Sequence, residues 1–379
     1  MIEFPISCVQ TSPVVAQAAL RHWLLGQAAP LWLEHGLDRA RGGYFDQLDP
    51  IDASNSCNYK RLRVTCRQVF VFATLDEMGV GGSREAMDHG LAFLFGQLRH
   101  GDGGFVRTVD LDGRVLDERR DLYDLAFVIF ALSSAYQRSG DSFYAGEAHR
   151  LLTFLYEAML HPRGGFVESL PPSLPRRQNP HMHLLEACLA WLPISDQPAY
   201  RDTIGDILDL FGHHFWSEND GCLFEYFEDD WAHSLNPTQR IFEPGHHFEW
   251  IWLLEQCRAS GLAVPDRLES LRKTVLALGF SDQSGLPYAE VHPNGLVADA
   301  NCRLWSVTEW LRVSTTALSP DLDRPLAQFW RFLDARRPGF WAERWDANAQ
   351  QFPQENVLAS SFYHILTGIL PLIKGCGTF

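Results

Sequence analysis

The stretch Arg41-Gly-Gly-Tyr-Phe-Asp-Gln47, RGGYFDQ in one-letter code, sets the pattern of this chain. Related glycine-aromatic turns follow as DGGFVRT (102–108), RGGFVES (163–169), DGCLFEY (220–226), SGLPYAE (284–290) and PGFWAERWD (338–346). From Gly43 to Gly339 the successive spacings between their centres are 61, 61, 57, 63 and 54 residues. A fixed period of this kind indicates one supersecondary unit repeated along the chain.

The segments between the turns have the pattern of amphipathic helices. The segment DSFYAGEAHRLLTFLYEAML (141–160) places one set of apolar residues on a single helical face: Leu151, Leu152, Leu155, Tyr156 and Met159. With two helices per repeat, we predict an all-α fold, an (α/α)6 barrel of about twelve helices in two concentric rings with short hairpin loops. The barrel is expected to form one catalytic domain over residues 1–379.

Two other architectures were weighed against this barrel. Length alone favours two domains, but the regular period overrides that expectation. An open α-solenoid is less consistent, because solenoid repeats usually span only about 20 to 45 residues. In the barrel, the second helix of each pair forms the inner ring, with all N-termini at one end. These helices are predicted to begin near Arg61, Asp121, Asn179, Pro244, Arg303 and Val357.

Composition narrows the class of function. Hydrophobic residues make up 46% and charged residues 21%, which is typical of a globular chain. The net charge of -15 disfavours nucleic acid and anionic membrane as partners. The apolar stretch at 125–132 is too short to span a bilayer, and the N-terminus has no secretory pattern. The eight cysteines lack a C-x-x-C pair, so we expect reduced thiols in the cytoplasm.

The inner helices carry polar residues where a packed core would be apolar. Because their N-termini share one end, these side chains are expected to converge on one cavity: Arg67, Tyr123, Asp124, His181, His183, Glu186, His246, His247, Glu249, Arg303, Glu309 and His364. Two helices repeat a His-x-x-Glu spacing, at His183 to Glu186 and at His246 to Glu249, which puts the two side chains on one face. A carboxylate beside an imidazole prepares a base, so we expect Glu249 to orient His246.

Three chemistries fit such a cavity. A di-metal site needs further inward carboxylates, and nearby cations such as Arg67 and Arg303 disfavour it; no metal and no cofactor are expected. A glycosidase needs only two carboxylates. The excess of histidine, with His246 and His364 on opposite sides of the ring, favours proton transfer to and from carbon near neutral pH. Trp305, one turn before Glu309, is the aromatic residue expected to stack on a sugar.

Six motifs in order resemble the N-acylglucosamine 2-epimerase superfamily, which includes mannose, sulfoquinovose and cellobiose branches. They are CRQVFVFA with Arg67, RRDLYDLAF with Tyr123, NPHMHLLEA with His183, EPGHHFEWIWLL with His246 and Glu249, RLWSVTEW with Arg303, Trp305 and Glu309, and SSFYHIL with His364. The resemblance covers nearly the whole chain. It implies the same barrel, no required metal in the isomerase and cellobiose branches, and His246 and His364 as the acid/base pair. It also implies that Arg67 and Tyr123 contact the substrate and that His183 assists ring opening.

Departures from the family's motifs indicate the branch. His364 is followed by Ile365, Leu366 and Thr367, where the cellobiose enzymes carry polar residues, so a disaccharide substrate is disfavoured. The segment GFWAERWD followed by SSFYH is most similar to the mannose and sulfoquinovose isomerases. Trp305-Ser-Val-Thr-Glu309 replaces the usual Trp-Pro-Gln-Thr-Glu and lacks one glutamine.

We therefore predict an enzyme that interconverts a free aldose and ketose, of the D-mannose to D-fructose type, through a cis-enediol. Arg67 and Tyr123 would stabilise the enediolate, Glu309 and Trp305 would hold the sugar, and Arg240 would contact a substituent at carbon 6. A sugar 2-epimerase, a sulfoquinovose isomerase and a non-catalytic sugar-binding barrel are the alternatives. The expected partner is a monosaccharide, and the protein is expected to be a monomer or homodimer.

Overall fold

The computed structural model describes residues 13–316 and 321–374. Its α-helices are α1 (Pro13–Trp23), α2 (Ala29–His35), α3 (Leu62–Glu77), α4 (Ser83–Gln97), α5 (Leu122–Ser139), α6 (Ser142–Phe154), α7 (Gln178–Trp191), α8 (Pro198–Leu210), α9 (Pro244–Ala259), α10 (Leu268–Leu278), α11 (Leu304–Val313), α12 (Asp323–Asp334) and α13 (Ala359–Lys374). A π turn at Leu24–Ala28 joins α1 to α2 into one rod, so the segments form the twelve helices of the predicted barrel.

Burial separates the inner ring from the outer ring. In α9, twelve of the 16 residues are buried, including both histidines and Glu249. In the outer helix α10, only Leu268, Leu271 and Val275 are buried among 11 residues, which is the single apolar stripe of a helix with one solvent face. The inner helices α3, α5, α7, α9, α11 and α13 begin within two residues of their predicted starts. The (α/α)6 prediction is confirmed.

Short strands, which the helical pattern did not predict, join neighbouring repeats. They are β1 (Gln47–Leu48), β2 (Tyr59–Arg61), β3 (Thr108–Asp110), β4 (Val115–Asp117), β5 (Arg120–Asp121), β6 (Ser169–Leu170), β7 (Arg176–Arg177), β8 (Trp216–Ser217), β9 (Cys222–Leu223), β10 (Tyr226–Phe227), β11 (Glu290–Val291), β12 (Val297–Asp299), β13 (Cys302–Arg303), β14 (Arg344–Trp345) and β15 (Val357–Leu358). The strand before an inner helix pairs with the turn of the next repeat, as β2 with β3, β5 with β6, β7 with β10 and β13 with β14.

One further strand pairing of the same kind closes the ring. β15 pairs with β1, and the backbone N–H of Ala359 donates to the carbonyl of Asp46 at 3.0 Å. The Gln68 side chain adds a bond to the Ala359 carbonyl at 2.7 Å. Beside this seam, Trp32 stacks on Trp341 with ring centroids 5.2 Å apart. The first and last repeats are therefore joined by the same contacts that join the other repeats.

The glycines of the turns have a steric reason. Gly43 has φ +71°, a left-handed conformation that side chains rarely adopt, and a Cβ there would lie 2.7 Å from the ring of Phe93. Gly165 repeats this with φ +68° and a Cβ position 2.4 Å from Leu210. Both turns lie against a neighbouring outer helix, so their central glycines permit this close packing.

The structure also bears on the predictions about membrane spans and cysteines. Within residues 13–316 and 321–374, no helix is both long and apolar enough to cross a membrane. Each of the six cysteines in this part of the chain is a free thiol. Cys8 and Cys376 lie outside the described residues.

Candidate active site

The N-terminal ends of the inner helices surround a cavity of about 450 Å³. Seven of the predicted site residues line it: Arg67, Tyr123, His183, His246, Glu249, Trp305 and His364. Each lies within the first six residues of its helix. Because the inner helices are parallel, their N-termini also place partial positive charge around the cavity, which favours a negatively charged intermediate.

His246 is held by a carboxylate of the fourth turn. Its Nδ1 lies 2.8 Å from Oε2 of Glu225, and since a carboxylate only accepts, Nδ1 carries the proton. Gln178 donates to the same oxygen at 2.8 Å, and the backbone N–H of Glu243 donates to the other at 3.1 Å. Glu225 is thus fixed on both oxygens and in turn fixes the imidazole.

The expected pairing of His246 with Glu249 is wrong. The i to i+3 spacing does put both side chains on one face of α9, but Nδ1 of His246 points back to the turn that precedes the helix. Glu249 lies one turn deeper, with Oε1 3.8 Å from Nδ1 of His183. Helical spacing determines which side chains share a face of α9. The glycine-aromatic turn before the helix determines which carboxylate contacts His246.

His364 is held in a similar way by Glu309. Its Nδ1 lies 2.9 Å from Oε1 of Glu309, and the second oxygen of that carboxylate accepts from Arg312 at 3.3 Å. Glu309 is fully buried and is not among the residues that line the cavity, so it contacts His364 rather than the sugar hydroxyls it was expected to hold. Arg312 is not among the predicted site residues.

His183 completes the set of anchored imidazoles. Its Nδ1 lies 3.2 Å from Oε2 of Glu186, as the His-x-x-Glu spacing on α7 suggests. The hydroxyl of Tyr363 donates to the same oxygen. The other oxygen of Glu186 accepts from Arg312 at 3.3 and 3.4 Å. One guanidinium therefore serves the carboxylates of both His183 and His364.

The two histidines proposed to transfer protons have opposite electrostatic surroundings. Burial lowers the pKa of His246, but Glu225 and Glu243 outweigh burial and hold the pKa above its ordinary value. Burial lowers the pKa of His364 well below its ordinary value, and the positive charge of Arg67 lowers it further. The surroundings therefore favour the protonated form of the first imidazole and the neutral form of the second.

Glu249 is a carboxyl group without hydrogen-bond partners of its own. Both of its oxygens are buried and make no hydrogen bond within the described residues. Burial, together with Glu309 and Glu186, raises its pKa well above the ordinary value. This shift favours the neutral form of Glu249, whose hydroxyl can donate a hydrogen bond into the cavity that it lines.

Arg67 and Tyr123 form a second polar group in the cavity. The guanidinium donates to the Tyr123 hydroxyl at 2.7 Å and lies over the ring of Phe127 at 4.3 Å. This contact fixes a cation against an aromatic wall while leaving both residues at the cavity surface. Such a preorganised donor stabilises charge that develops on an oxygen during a reaction.

Trp305 lies close to both proton-transfer candidates. Its ring centroid is 4.9 Å from that of His246 and 5.8 Å from that of His364. An indole at this position presents a flat apolar face beside both imidazoles. This is the environment in which the C–H face of a sugar can stack.

Arg240 is a further predicted site residue that the structure does not bring to the cavity, and four of the polar residues expected to converge there also do not line it: Asp124, His181, Glu186 and His247. Arg240 pairs with Asp220 at 3.1 Å and stacks on Phe224 at 4.9 Å, and it is not among the lining residues. The arginines that do line the cavity are Arg63, Arg67, Arg177, Arg303 and Arg344. Most of them were not proposed as substrate contacts, since their positions depend on how the loops fold.

The repeat pattern of the sequence contains a signal for Glu225. Glu225 is the acidic residue of the glycine-aromatic turn, equivalent to Asp46, Glu168 and Glu343 in other repeats. Each of these accepts the N–H of a residue just before an inner helix: Arg61 at 2.9 Å, Arg177 at 2.8 Å and Leu358 at 2.7 Å. In the fourth repeat the same carboxylate also anchors His246.

Three sets of residues have the composition of metal ligands: His183 with Glu186 and Glu249, Glu225 with Glu243 and His246, and Glu249 with Glu309 and His364. Most of their donor atoms already take part in the hydrogen bonds described above. Arg312 adjoins the first and third sets, and a guanidinium opposes a divalent cation at that position. The donor chemistry therefore favours a hydrogen-bond network, and the expectation of no metal stays a prediction.

Comparisons with known proteins give the family. The model of the N-acylglucosamine 2-epimerase family matches residues 43–368. A mannose-6-phosphate isomerase from Rhizobium meliloti (strain 1021) is 33% identical over 385 residues, covering 93% of this chain and 95% of that protein. A D-mannose isomerase from Thermobifida fusca is 30% identical over 267 residues, covering 66% of this chain and 65% of that protein.

The fold is shared with solved structures. The cellobiose 2-epimerase from Spirochaeta thermophila DSM 6192 superposes with a TM-score of 0.81 at 20% identity, covering 97% of this chain and 99% of that one. This likeness supports the barrel and its topology. Taken with the family match over most of the chain, it means that this protein belongs to the N-acylglucosamine 2-epimerase family and is a carbohydrate isomerase or epimerase.

Proposed function

We propose that this protein isomerises a free aldose to its ketose, of the D-mannose to D-fructose type, by histidine-mediated proton transfer through a cis-enediol. The observation that carries the proposal is the pair His246 and His364. Both are anchored at Nδ1 by a carboxylate, and their pKa values are shifted in opposite directions. Titratable groups whose environments separate their pKa values are candidates for acid and base roles.

In the proposed reaction His364 is the base. With its Nδ1 proton bonded to Glu309, its Nε2 lone pair is free to face the cavity. It removes the proton from carbon 2 of the open-chain sugar and delivers it to carbon 1. One C–H bond breaks at carbon 2 and one forms at carbon 1, so the base returns to its neutral form.

His246 is the acid that serves the oxygens. Its imidazolium donates a proton to the oxygen on carbon 1 as the enediol forms, and it recovers one from the oxygen on carbon 2 as the ketone forms. Arg67 with Tyr123 stabilises the negative charge that develops on oxygen. His183, anchored by Glu186, assists opening of the sugar ring, and Trp305 packs on its apolar face.

The size and lining of the cavity support a single sugar unit. About 450 Å³ is at the lower end of the range for small-molecule sites. After His364 the helix continues with Ile365 and Leu366, which are fully buried and offer no polar contact to a second sugar. The names of the relatives from Rhizobium meliloti and Thermobifida fusca are consistent with a mannose-type sugar.

A charged group at carbon 6 is a second possibility for the substrate, since one relative is named for a sugar phosphate and several arginines line the cavity. These arginines have acidic partners, however: Arg63 lies 3.5 Å from Asp124, Arg177 lies 3.0 Å from Glu168, and Arg303 pairs with Glu243. Because their charge is already compensated, we propose a neutral sugar. Mannose 6-phosphate and sulfoquinovose are then the substrates to compare.

A 2-epimerase would use the same two histidines. His364 would remove the carbon 2 proton, and protonated His246 would return one to the same carbon from the opposite side of the ring. Trp305 is near both imidazoles, so a sugar stacked on the indole could be reached by either histidine, as this second reaction requires. The two reactions differ in which carbon receives the proton.

The test is proton and carbon NMR of the purified, chelator-treated protein with mannose in deuterium oxide. Fructose carrying deuterium supports isomerisation by an enediol without added metal. Glucose labelled at carbon 2 as the sole early product would replace the proposal by epimerisation. If no mannose is converted but mannose 6-phosphate or sulfoquinovose is, the choice of a neutral substrate is wrong.

A further inference from the structure

Arg312 is the cation at the base of the catalytic network. It lies on α11, is fully buried, and its guanidinium carbon is 3.3 Å from the ring centroid of Trp252. It donates to Oε2 of Glu309 at 3.3 Å and to Oε1 of Glu186 at 3.3 and 3.4 Å. It is not among the residues that line the catalytic cavity, so it contacts neither substrate nor reacting atoms.

The hydrogen bonds from Arg312 branch to two histidines. Oε1 of Glu309 lies 2.9 Å from Nδ1 of His364, and Oε2 of Glu186 lies 3.2 Å from Nδ1 of His183. Each carboxylate therefore binds the guanidinium with one oxygen and an imidazole with the other. A change at Arg312 can therefore affect each imidazole through one glutamate, Glu309 for His364 and Glu186 for His183.

The charge around Glu309 makes its ionisation depend on this arginine. Four ionisable groups face it from neighbouring helices: Glu186 and His183 from α7, Glu249 from α9 and His364 from α13. Among them, the negative charge of Glu186 disfavours ionisation of Glu309. Arg312 on α11 is the cation in direct contact with Glu309.

We infer that Arg312 is a positioning residue that keeps Glu309 ionised and thereby fixes His364 with its proton on Nδ1 and its lone pair on Nε2. This inference deepens the proposed function and rests on it only where turnover is measured. If Glu309 took up a proton, its hydroxyl would donate to Nδ1 of His364. The imidazole would then carry its own proton on Nε2 and could not accept one from carbon 2.

The direction of the Glu309 titration agrees with this role. Burial raises the pKa of Glu309 to about 6, and the charge and hydrogen bond of Arg312 oppose that rise. At pH 7 the carboxyl is therefore mostly ionised in the intact protein. Without the guanidinium its pKa rises further, so a larger share is protonated at the same pH.

The experiment compares Arg312→Met and Arg312→Lys with the parent protein. Methionine has a similar length without charge, whereas lysine keeps the charge and loses the branched geometry. Arg138→Met is the matched control, because Arg138 also projects from an inner helix and pairs with an aspartate, Asp76, at 2.8 Å. For each protein, kcat is measured from pH 5 to pH 9.5, and thermal unfolding checks the fold.

We expect the acid limb of the kcat profile to move up by about one pH unit in Arg312→Met, which lowers kcat about fivefold at pH 6 and less at pH 9. Arg312→Lys should recover most of the activity at pH 7. Arg138→Met should leave the position of the limb unchanged. A uniform loss of kcat at every pH, or limbs that coincide in all variants, would overturn the inference.

A second readout does not depend on turnover. Nitrogen-15 NMR of histidine side chains distinguishes the two neutral tautomers, and a His364 variant assigns the signal. In the parent protein at pH 7 the signal should report a proton on Nδ1, and in Arg312→Met it should move toward Nε2. If this shift occurs while no sugar is converted, the proposed function fails and the positioning role stands. If Arg312→Met does not fold, Arg312→Gln, which also lacks the charge, gives the same comparison at pH 6, and an unchanged tautomer there contradicts the inference.

Discussion

His246 and His364 face one cavity from two helices, and each donates from Nδ1 to a glutamate. The glutamates differ in their surroundings. Glu225 accepts only from neutral donors besides its histidine, so its charge is left to hold a proton on His246. Glu309 shares its charge with Arg312, and Arg67 lies close to His364. The same hydrogen bond therefore prepares an acid where two carboxylates outweigh burial, and a base where burial and the charge of Arg67 lower the pKa.

The largest effect should come from removing the imidazoles. We expect His364→Ala to lower conversion by about 10³-fold or more and to abolish exchange of the carbon 2 proton with solvent, because the base is lost. His246→Ala should lower conversion by about 10²-fold. Deuterium exchange followed by NMR measures both quantities. His213→Ala, at an exposed position, is the control. Full activity of either site variant would contradict the acid and base assignment.

Substitutions of Glu225 and Glu309 should affect opposite limbs of the pH profile of kcat. Removing the charge in Glu225→Gln lowers the pKa of His246, so the alkaline limb of kcat should move to lower pH, with a loss of about tenfold at pH 8. Glu309→Gln should instead remove the acid limb, because the group that titrates there is gone. Glu168→Gln is the matched control, since Glu168 fills the same place in the third turn without a histidine partner. In Glu168→Gln both limbs of the kcat profile should keep the positions that they have in the parent protein.

In the parent protein the comparison predicts a bell-shaped profile. Activity requires ionised Glu309, whose pKa is about 6, so it falls as the pH drops through that value. It also requires protonated His246, whose pKa is raised, so it falls as the pH rises through a value above the ordinary histidine range. Each limb should show a change of about tenfold per pH unit beyond its midpoint. A profile with one limb only would mean that the two histidines do not divide the roles.

The smallest effect is expected at Tyr123. Phenylalanine at this position removes the hydroxyl that accepts from Arg67 at 2.7 Å but keeps the ring. The loss of one hydrogen bond should lower kcat/KM by about fivefold. Since Tyr123 serves the intermediate and neither histidine, both limbs of the pH profile should keep their positions. Movement of one limb would show that Arg67 is coupled to that histidine through Tyr123.

The sequence allowed much of the fold to be predicted, because its determinants are local. The glycine of each turn needs a left-handed backbone, and the helices between turns have a clear amphipathic period. Strands of two or three residues leave no such pattern, so their pairing between repeats could not be predicted.

The candidate site was predicted in its composition but not in its contacts. His246, His364 and Arg67 are recognisable as polar residues near the start of inner helices. Glu225 lies 21 residues before His246, and only the folded turn brings them together. Arg312 is three residues after Glu309 on α11, a spacing visible in the sequence, but its role depends on Glu186 from a helix more than a hundred residues away.

The seam where β15 meets β1 passes through the candidate site. Arg67 follows the first turn and His364 lies on the last inner helix, and Arg67 donates to the carbonyl of Ser360 across the seam at 3.4 Å. Most helix pairs can associate with a neighbour in sequence, but this junction must join residues nearly three hundred positions apart, the kind of contact that forms late. During refolding we therefore expect catalytic activity to recover later than helical content, because activity requires the closed ring.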